Sequence, residues 1–133
     1  MSQENVELVR SGYVAFRESG RFDESISTPD FVWDMSNFQG WPEQPVYEGA
    51  EGARRFLGEW AAAWDEWELE LEELYDAGDR VVAVMRQRGR SKQGGLPVDM
   101  RFAQVWSFRD GLRSRMEMYD DPAQAMRAVG LAE

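Results

Sequence analysis

The chain is 133 residues long, 43% hydrophobic and 13% aromatic, with a formal charge of −10 and neither Cys nor His. Such a length and composition describe one folded domain, able to bury roughly 68% of the surface its unfolded chain exposes, and not a disordered tail. The acidic balance argues against nucleic acid and against an anionic membrane surface. The missing residue types remove disulfides, thiolate chemistry, the usual general base and the commonest metal ligand.

The first element is a helix. "SQENVELVRSGYVAFRESG" sets Val6, Val9, Tyr13 and Phe16 at helical spacing, with Ser2 as N-cap and Gly20 past the end. "RFDESIS" reads as a short helical turn that Pro29 stops, and "DFVWDM" alternates like a strand. "WDMSNFQGWPEQPVYEG", Trp33 to Gly49, then sets two Trp, a Phe and a Tyr among loop-forming residues. Large aromatics gain little on an exposed loop, so they must cover something. Gly49 to about Trp64 is a second helix, with Phe56, Trp60 and Ala63 or Trp64 on one face.

From there the period becomes two. "EWELELEEL" puts Trp67, Leu69 and Leu71 on one face and Glu66, Glu68, Glu70 and Glu72 on the other. "DAGD", "SKQGG" and "RDG" turn the chain between the strands from Arg80 to about Gly89, "PVDMRFAQVWSF" and "LRSRMEMYD". In the third of these four strands Met100, Phe102, Gln104, Trp106 and Phe108 share a face. Last, "DPAQAMRAVG" is a short helix with Asp121 as N-cap, Pro122 at the first position and Gly130 as the stop. The expected fold is α+β: four strands in an antiparallel meander, strongly curved, with the helices gathered on one face and a cone opening near the loops. There is no secretory leader pattern and no apolar run approaching 18 residues, so a cytoplasmic location is expected.

The order of elements resembles the nuclear transport factor two-like superfamily, in particular its SnoaL-like branch, over nearly the whole chain as a single domain, 1–133. The stretches that carry the resemblance are "YVAFRESGRFDE", "PDFVWDM", "YEGAEGARRFLGEW", "DAGDRVVAVMRQRG", "VWSFRDGLRSRMEMYDD" and "AMRAVGL". It implies a cone-shaped half-barrel, a curved and mainly antiparallel sheet wrapped around N-terminal helices, enclosing an apolar pocket. It also implies a homodimer through the outer sheet face. Polyketide cyclase-like and ketosteroid isomerase-like enzymes share this fold with noncatalytic binders, so fold alone does not decide function.

The resemblance also sets the phase of the strands. It puts Val82, Val84, Arg86 and Arg88 inward, together with Met116, Met118 and Asp120, and Trp33 and Met35 on the first strand. Phe38, Trp41 and Tyr47 then cover the pocket mouth. Set against ketosteroid isomerases, Tyr13 falls on the oxyanion-stabilising tyrosine and Gln104 on the position of a protonated Asp. Met35 lies nearest the general base, with Asp34 one residue away. Set against limonene-type epoxide hydrolases, Arg86 matches the arginine of an Asp–Arg–Asp cluster, but Arg88 and Met118 stand where its carboxylates belong, which excludes that water activation. For a SnoaL-like cyclase, Asp120 and then Asp34 are the candidate carboxylates.

Each of these residues also has a structural reading. Tyr13 can be a core residue with its hydroxyl satisfied, and Asp120 can extend the cap at Asp121. Arg86 and Arg88 can pair with nearby carboxylates, whereas a lone amide such as Gln104 in an apolar row must find a partner or cost about 1–3 kcal/mol. The alternating Glu face is solvated, too extended to converge on a metal, and the only Lys, Lys92, sits in a turn.

The first expectation is therefore binding of a small, mostly apolar molecule bearing oxygen, without metal or cofactor. Tyr13, Gln104, Arg86 and Arg88 would supply its polar contacts, and Trp33, Met35, Trp41, Tyr47, Phe56, Trp60, Phe102, Trp106 and Met118 its walls. The second is a cofactor-independent isomerase, cyclase or lyase acting next to a carbonyl, with Tyr13 and Gln104 stabilising an enolate and Asp120 or Asp34 moving the proton. The third is a noncatalytic interaction module with a filled cone.

Overall fold

The computed structural model describes residues 2–39, 41 and 44–131, the side chain of Ser2 excepted. The capping role expected of Ser2 and the loop positions Gly40, Pro42 and Glu43 lie outside that description. The order of elements is helix α1 (Ser2–Ser19), a 3-10 turn (Glu24–Ile26), strands β1 (Ser27–Asp34) and β2 (Val46–Glu48), helix α2 (Gly49–Ala62), strands β3 (Trp64–Asp76), β4 (Arg80–Ser91), β5 (Pro97–Arg109) and β6 (Leu112–Tyr119), and helix α3 (Pro122–Ala128). The six strands form one open sheet in the order β2-β1-β6-β5-β4-β3. All neighbours are antiparallel except β1 and β6, which run parallel. The result is the expected α+β half-barrel with an antiparallel meander from β3 to β6.

Local chemistry explains where the elements stop. Gly20, at φ +73°, takes the left-handed conformation that ends α1, and its N–H reaches the carbonyl of Phe16. Asp121 caps α3 by accepting from the N–H of Ala123 at 3.0 Å, with Pro122 in the first turn. Asp110 and Gly111 both have positive φ, the two-residue hairpin geometry that Asp-Gly favours.

Three features differ from expectation. Strand β1 begins at Ser27, two residues before Pro29, because the irregular stretch between Ser27 and Val32 leaves Pro29 outside a regular ladder. Val46–Glu48 is a short edge strand on β1, not loop. Helix α3 lies on the outer face, away from α1 and α2. Its Ala125, Met126 and Val129 cover Val82, Val84, Ala103 and Val105, so both faces of β4 and β5 are apolar at this end and each needs a helix.

The inner face holds the main core. Phe31, Trp33, Phe56, Trp60, Phe102 and Trp106 are all buried here, with Trp33 and Phe56 rings 4.7 Å apart and Trp60 and Phe102 5.8 Å apart. Burying such side chains contributes on the order of 1.5–3 kcal/mol each. Helix α1 adds Val6 and Val9 to the same cluster, with Tyr13 half-buried against it.

Candidate functional site

Between α1, α2 and the inner face of the sheet lies a pocket of about 70 Å³, several times the space one water needs. Helix α1 contributes Val9, Gly12, Tyr13 and Phe16, and α2 contributes Phe56, Leu57 and Trp60. The sheet contributes Trp33, Leu69, Leu71, Ala83, Met85, Phe102, Gln104, Trp106, Arg113 and Met118. Phe16, Arg21, Asp23 and Leu57 keep solvent exposure and mark its rim. Of the residues expected at the pocket, Tyr13, Trp33, Phe56, Trp60, Phe102, Gln104, Trp106 and Met118 line it.

The polar groups of this pocket centre on Trp106. Its indole N–H donates to Gln104 Oε1 at 3.3 Å, which fixes the amide orientation, since an indole can only donate. Gln104 Nε2 then has no acceptor among the described residues. Trp33 stands edge-on to Trp106 with centroids 6.1 Å apart, and its buried indole N–H is likewise without a partner among the described residues. On the other side the guanidinium of Arg113 lies 4.5 Å from the Trp106 ring centroid and 5.0 Å from that of Phe22.

Arg113 is a functional candidate that sequence reading missed. It is 3% exposed. Its Nε donates to Ser27 Oγ, and its Nη2 donates to Ser27 Oγ and to the carbonyl of Asp23 at 3.0 Å. No carboxylate forms an ion pair with it among the described residues. Burial holds its pKa down to about 10, with the Asp23 charge opposing that shift from a distance, so it remains cationic at neutral pH. Gly12 makes room for it, because a Cβ there would sit 2.4 Å from Arg113 Nη1.

The hydroxyl of Tyr13 has another task. It donates to the carbonyl of Leu69 at 2.9 Å and accepts from the N–H of Leu71 at 3.0 Å. Those two groups lie on the free edge of β3, the last strand of the sheet, and Tyr13 satisfies them as a neighbouring strand would. The tyrosine wall faces the pocket while its oxygen is occupied.

The phase expected for β4 is reversed. Ala83 and Met85 face the pocket, and Gln87 lies beneath Trp60, accepting from its indole N–H at 2.8 Å. Arg86 and Arg88 therefore point outward with Val82 and Val84. Arg86 makes a two-pronged pair with Asp99 at 2.8 and 2.7 Å, and Arg88 lies 3.9 Å from the same carboxylate. The cross-strand neighbours decide this: Glu70 and Glu68 face solvent on β3 opposite Arg86 and Arg88.

Met35, Trp41 and Tyr47, with Phe38, do not line the pocket. Phe38 packs edge-on to Trp60 and Phe102, and Trp41 packs on Phe56 and Trp60. Trp41 donates to the Tyr47 hydroxyl, which donates to Glu59 at 2.6 Å. These aromatics back the pocket wall instead of covering its mouth. Met35 is buried in the core behind them, its N–H bonded to the carbonyl of Pro45.

Neither expected carboxylate reaches the pocket. Asp34 is buried on the other side of β1, where it accepts from the backbone and hydroxyl of Ser36 and pairs with Arg115. Its burial pushes the pKa up, but the Ser36 hydrogen bonds and Arg115 outweigh that and hold it below the ordinary carboxylate value. Asp120 accepts from the N–H of Gln39 at 3.2 Å, outside the lining. The carboxylate the lining does contain is Asp23, whose Oδ1 accepts from the N–H and hydroxyl of Ser25 and caps the 3-10 turn. No cluster of three or more acidic side chains among the described residues could hold a metal ion, and no described helix is long and apolar enough to cross a membrane.

The model of the SnoaL-like domain matches residues 13–116. Among solved structures, TerC co-crystallised with polyporic acid is 24% identical, covering 95% of this chain and 98% of that one, with a TM-score of 0.73. A nuclear transport factor two-like protein from Burkholderia thailandensis is 27% identical over 92% of this chain and 95% of its own, with a TM-score of 0.72. A proposed SnoaL-like polyketide cyclase from Jannaschia sp. CCS1 is 22% identical over 99% and 95%, with a TM-score of 0.70. No curated protein sequence matches the chain. The half-barrel, its inner pocket and the match over residues 13–116 lead to one assignment: the chain belongs to the SnoaL-like family, with the nuclear transport factor two-like fold.

Proposed function

We propose that the chain binds a small, mostly apolar molecule that carries oxygen, within the pocket beneath α1. One observation carries this reading: aromatic walls surround three donors, the Trp33 N–H, Gln104 Nε2 and Arg113 Nη1, that have no partner among the described residues. A buried donor without an acceptor costs about 1–3 kcal/mol, and a ligand oxygen would remove that cost. Apolar walls with a few convergent polar groups are the usual make-up of a ligand site. That TerC, which has the same fold, was co-crystallised with polyporic acid agrees with this reading. A homodimer and a cytoplasmic location belong to the same proposal.

Native mass spectrometry of the freshly purified protein tests it. The expected spectrum is a dimer carrying a defined small-molecule adduct that denaturation releases. A spectrum free of adduct, together with Trp emission that does not change across a panel of aromatic ketones, acids and phenols, overturns it.

A second reading is a cofactor-independent isomerase, cyclase or lyase acting next to a carbonyl. Asp23 favours it by placing a carboxylate in the pocket lining beside donors able to stabilise an enolate. Its proton transfer would then depend on Asp23 and not on Asp34 or Asp120. Unchanged turnover of a discovered substrate by Asp23→Asn removes this reading.

A further inference from the structure

The donors of the pocket outnumber its acceptors. Gln104 Oε1 is taken by Trp106, and the Tyr13 hydroxyl is taken by β3. Ser27 Oγ and the carbonyl of Asp23 are taken by Arg113. Among the described lining residues, the donors left unmatched are the Trp33 N–H, the Gln104 amide N–H₂ and Nη1 of Arg113. Two of these are neutral dipoles, but the third belongs to a full positive charge.

That charge is unusual in its setting. A buried guanidinium normally sits against a carboxylate, because leaving water without a counter-ion is expensive. Here two aromatic rings pack against it, with centroids 4.5 and 5.0 Å away, and Nε and Nη2 are held by a hydroxyl and a backbone carbonyl, both neutral. Asp23 acts on it only across a distance, with its own Oδ1 turned to Ser25. The other charged group of the lining, Arg21, is a second cation at the rim.

We propose that the pocket is built for an anion: a flat, mostly apolar acid whose carboxylate or acidic enolate oxygen docks on Arg113, with Gln104 Nε2 as the second donor. This rests on the ligand-pocket reading above and narrows its ligand class. The anion supplies the counter-charge that the protein omits, and the rings of Phe22, Trp33 and Trp106 receive the flat body. The overall charge of −10 works against anions everywhere else on the molecule, so a preference for an acid over its neutral isostere isolates the local effect of Arg113.

Cinnamate and neutral cinnamamide, titrated by calorimetry into the full chain, provide the test. Cinnamate is expected to bind about tenfold or more tightly than cinnamamide, as a charge-assisted hydrogen bond should give. Arg113→Gln is expected to abolish that difference, weakening cinnamate about tenfold more than it weakens cinnamamide. If Arg113→Gln does not fold, Gly12→Ala makes the same test, since its new Cβ displaces Nη1 and leaves the aromatic walls alone. Equal affinities in the wild-type protein overturn the inference and leave the pocket reading standing. A variant with a displaced or absent guanidinium that keeps the full preference also overturns it. Failure of both compounds to bind at millimolar concentration overturns the pocket reading and the inference with it.

Discussion

Arg113 reaches the pocket because β6 carries one residue more than its partner. Ser107 pairs with Arg115 but Phe108 pairs with Arg113, so Ser114 is the extra residue of a bulge. Strict alternation would turn Arg113 outward beside Arg115 and Glu117; the bulge turns it inward instead. Nothing in "LRSRMEMYD" announces that shift, which is why this residue was not legible in the sequence. Asp34 shows the opposite case, a buried charge with a complete set of partners. Its folded-state pKa lies below the ordinary value of 3.8, so the charged form favours folding. Its contribution is fully present above pH 3.8 and is lost as the pH falls through the lower folded-state value. Asp34→Asn should therefore lower stability at pH 7, and the gap to wild type should shrink in the acid limb below about pH 4. Urea midpoints measured from pH 7 to pH 2.5 check this, and a gap that stays constant across that range would show that Asp34 acts by packing alone.

The elements were legible wherever a single face was apolar. β3 was readable because Trp67, Leu69 and Leu71 alternate with glutamates, and α3 because Asp121, Pro122 and Gly130 punctuate it. β4 was not, because Val81 to Met85 is apolar on both faces and gives no phase of its own. The missing clue was across the strand: solvent-facing Glu68 and Glu70 call for cations opposite, which puts Arg86 and Arg88 outside and Gln87 inside. Bulges were the other hidden feature. Between Asp65 and Glu68, β3 gains a residue over β4, Glu66 takes φ +47°, and Gly89 on β4 meets the kink. A Cβ on Gly89 would lie 2.7 Å from Trp67 Cα and 2.8 Å from the carbonyl of Glu66, both backbone atoms that cannot swing away. Gly89→Ala should thus destabilise the fold by about 1–3 kcal/mol, the usual cost of forced overpacking. Chemical denaturation decides it; a loss below about 0.5 kcal/mol would mean that the bulge relaxes freely.

At the scale of the whole molecule, one helix roofs the pocket. Val9, Gly12, Tyr13 and Phe16 of α1 line it from above, while the sheet and α2 form floor and walls. The sheet is held by continuous ladders, whereas among the described residues the hydrogen bonds from α1 to the sheet come from the Tyr13 hydroxyl. A pocket beneath a helix also deprives it of packing atoms on that side. Opening of α1 should therefore precede global unfolding, with its amides exchanging faster than those of β4 and β5. A ligand that needs the roof in place stabilises the closed form by RT ln(1 + [L]/Kd), about 2.7 kcal/mol at a hundredfold excess over Kd. Hydrogen exchange with and without cinnamate should consequently show α1 gaining protection of up to about a hundredfold. The central strands β4 and β5 should gain it only to the extent that they exchange through the same opening. Equal gains in α1 and in the central strands would mean that the roof never opens by itself, and that ligand entry runs along the rim at Arg21 and Leu57.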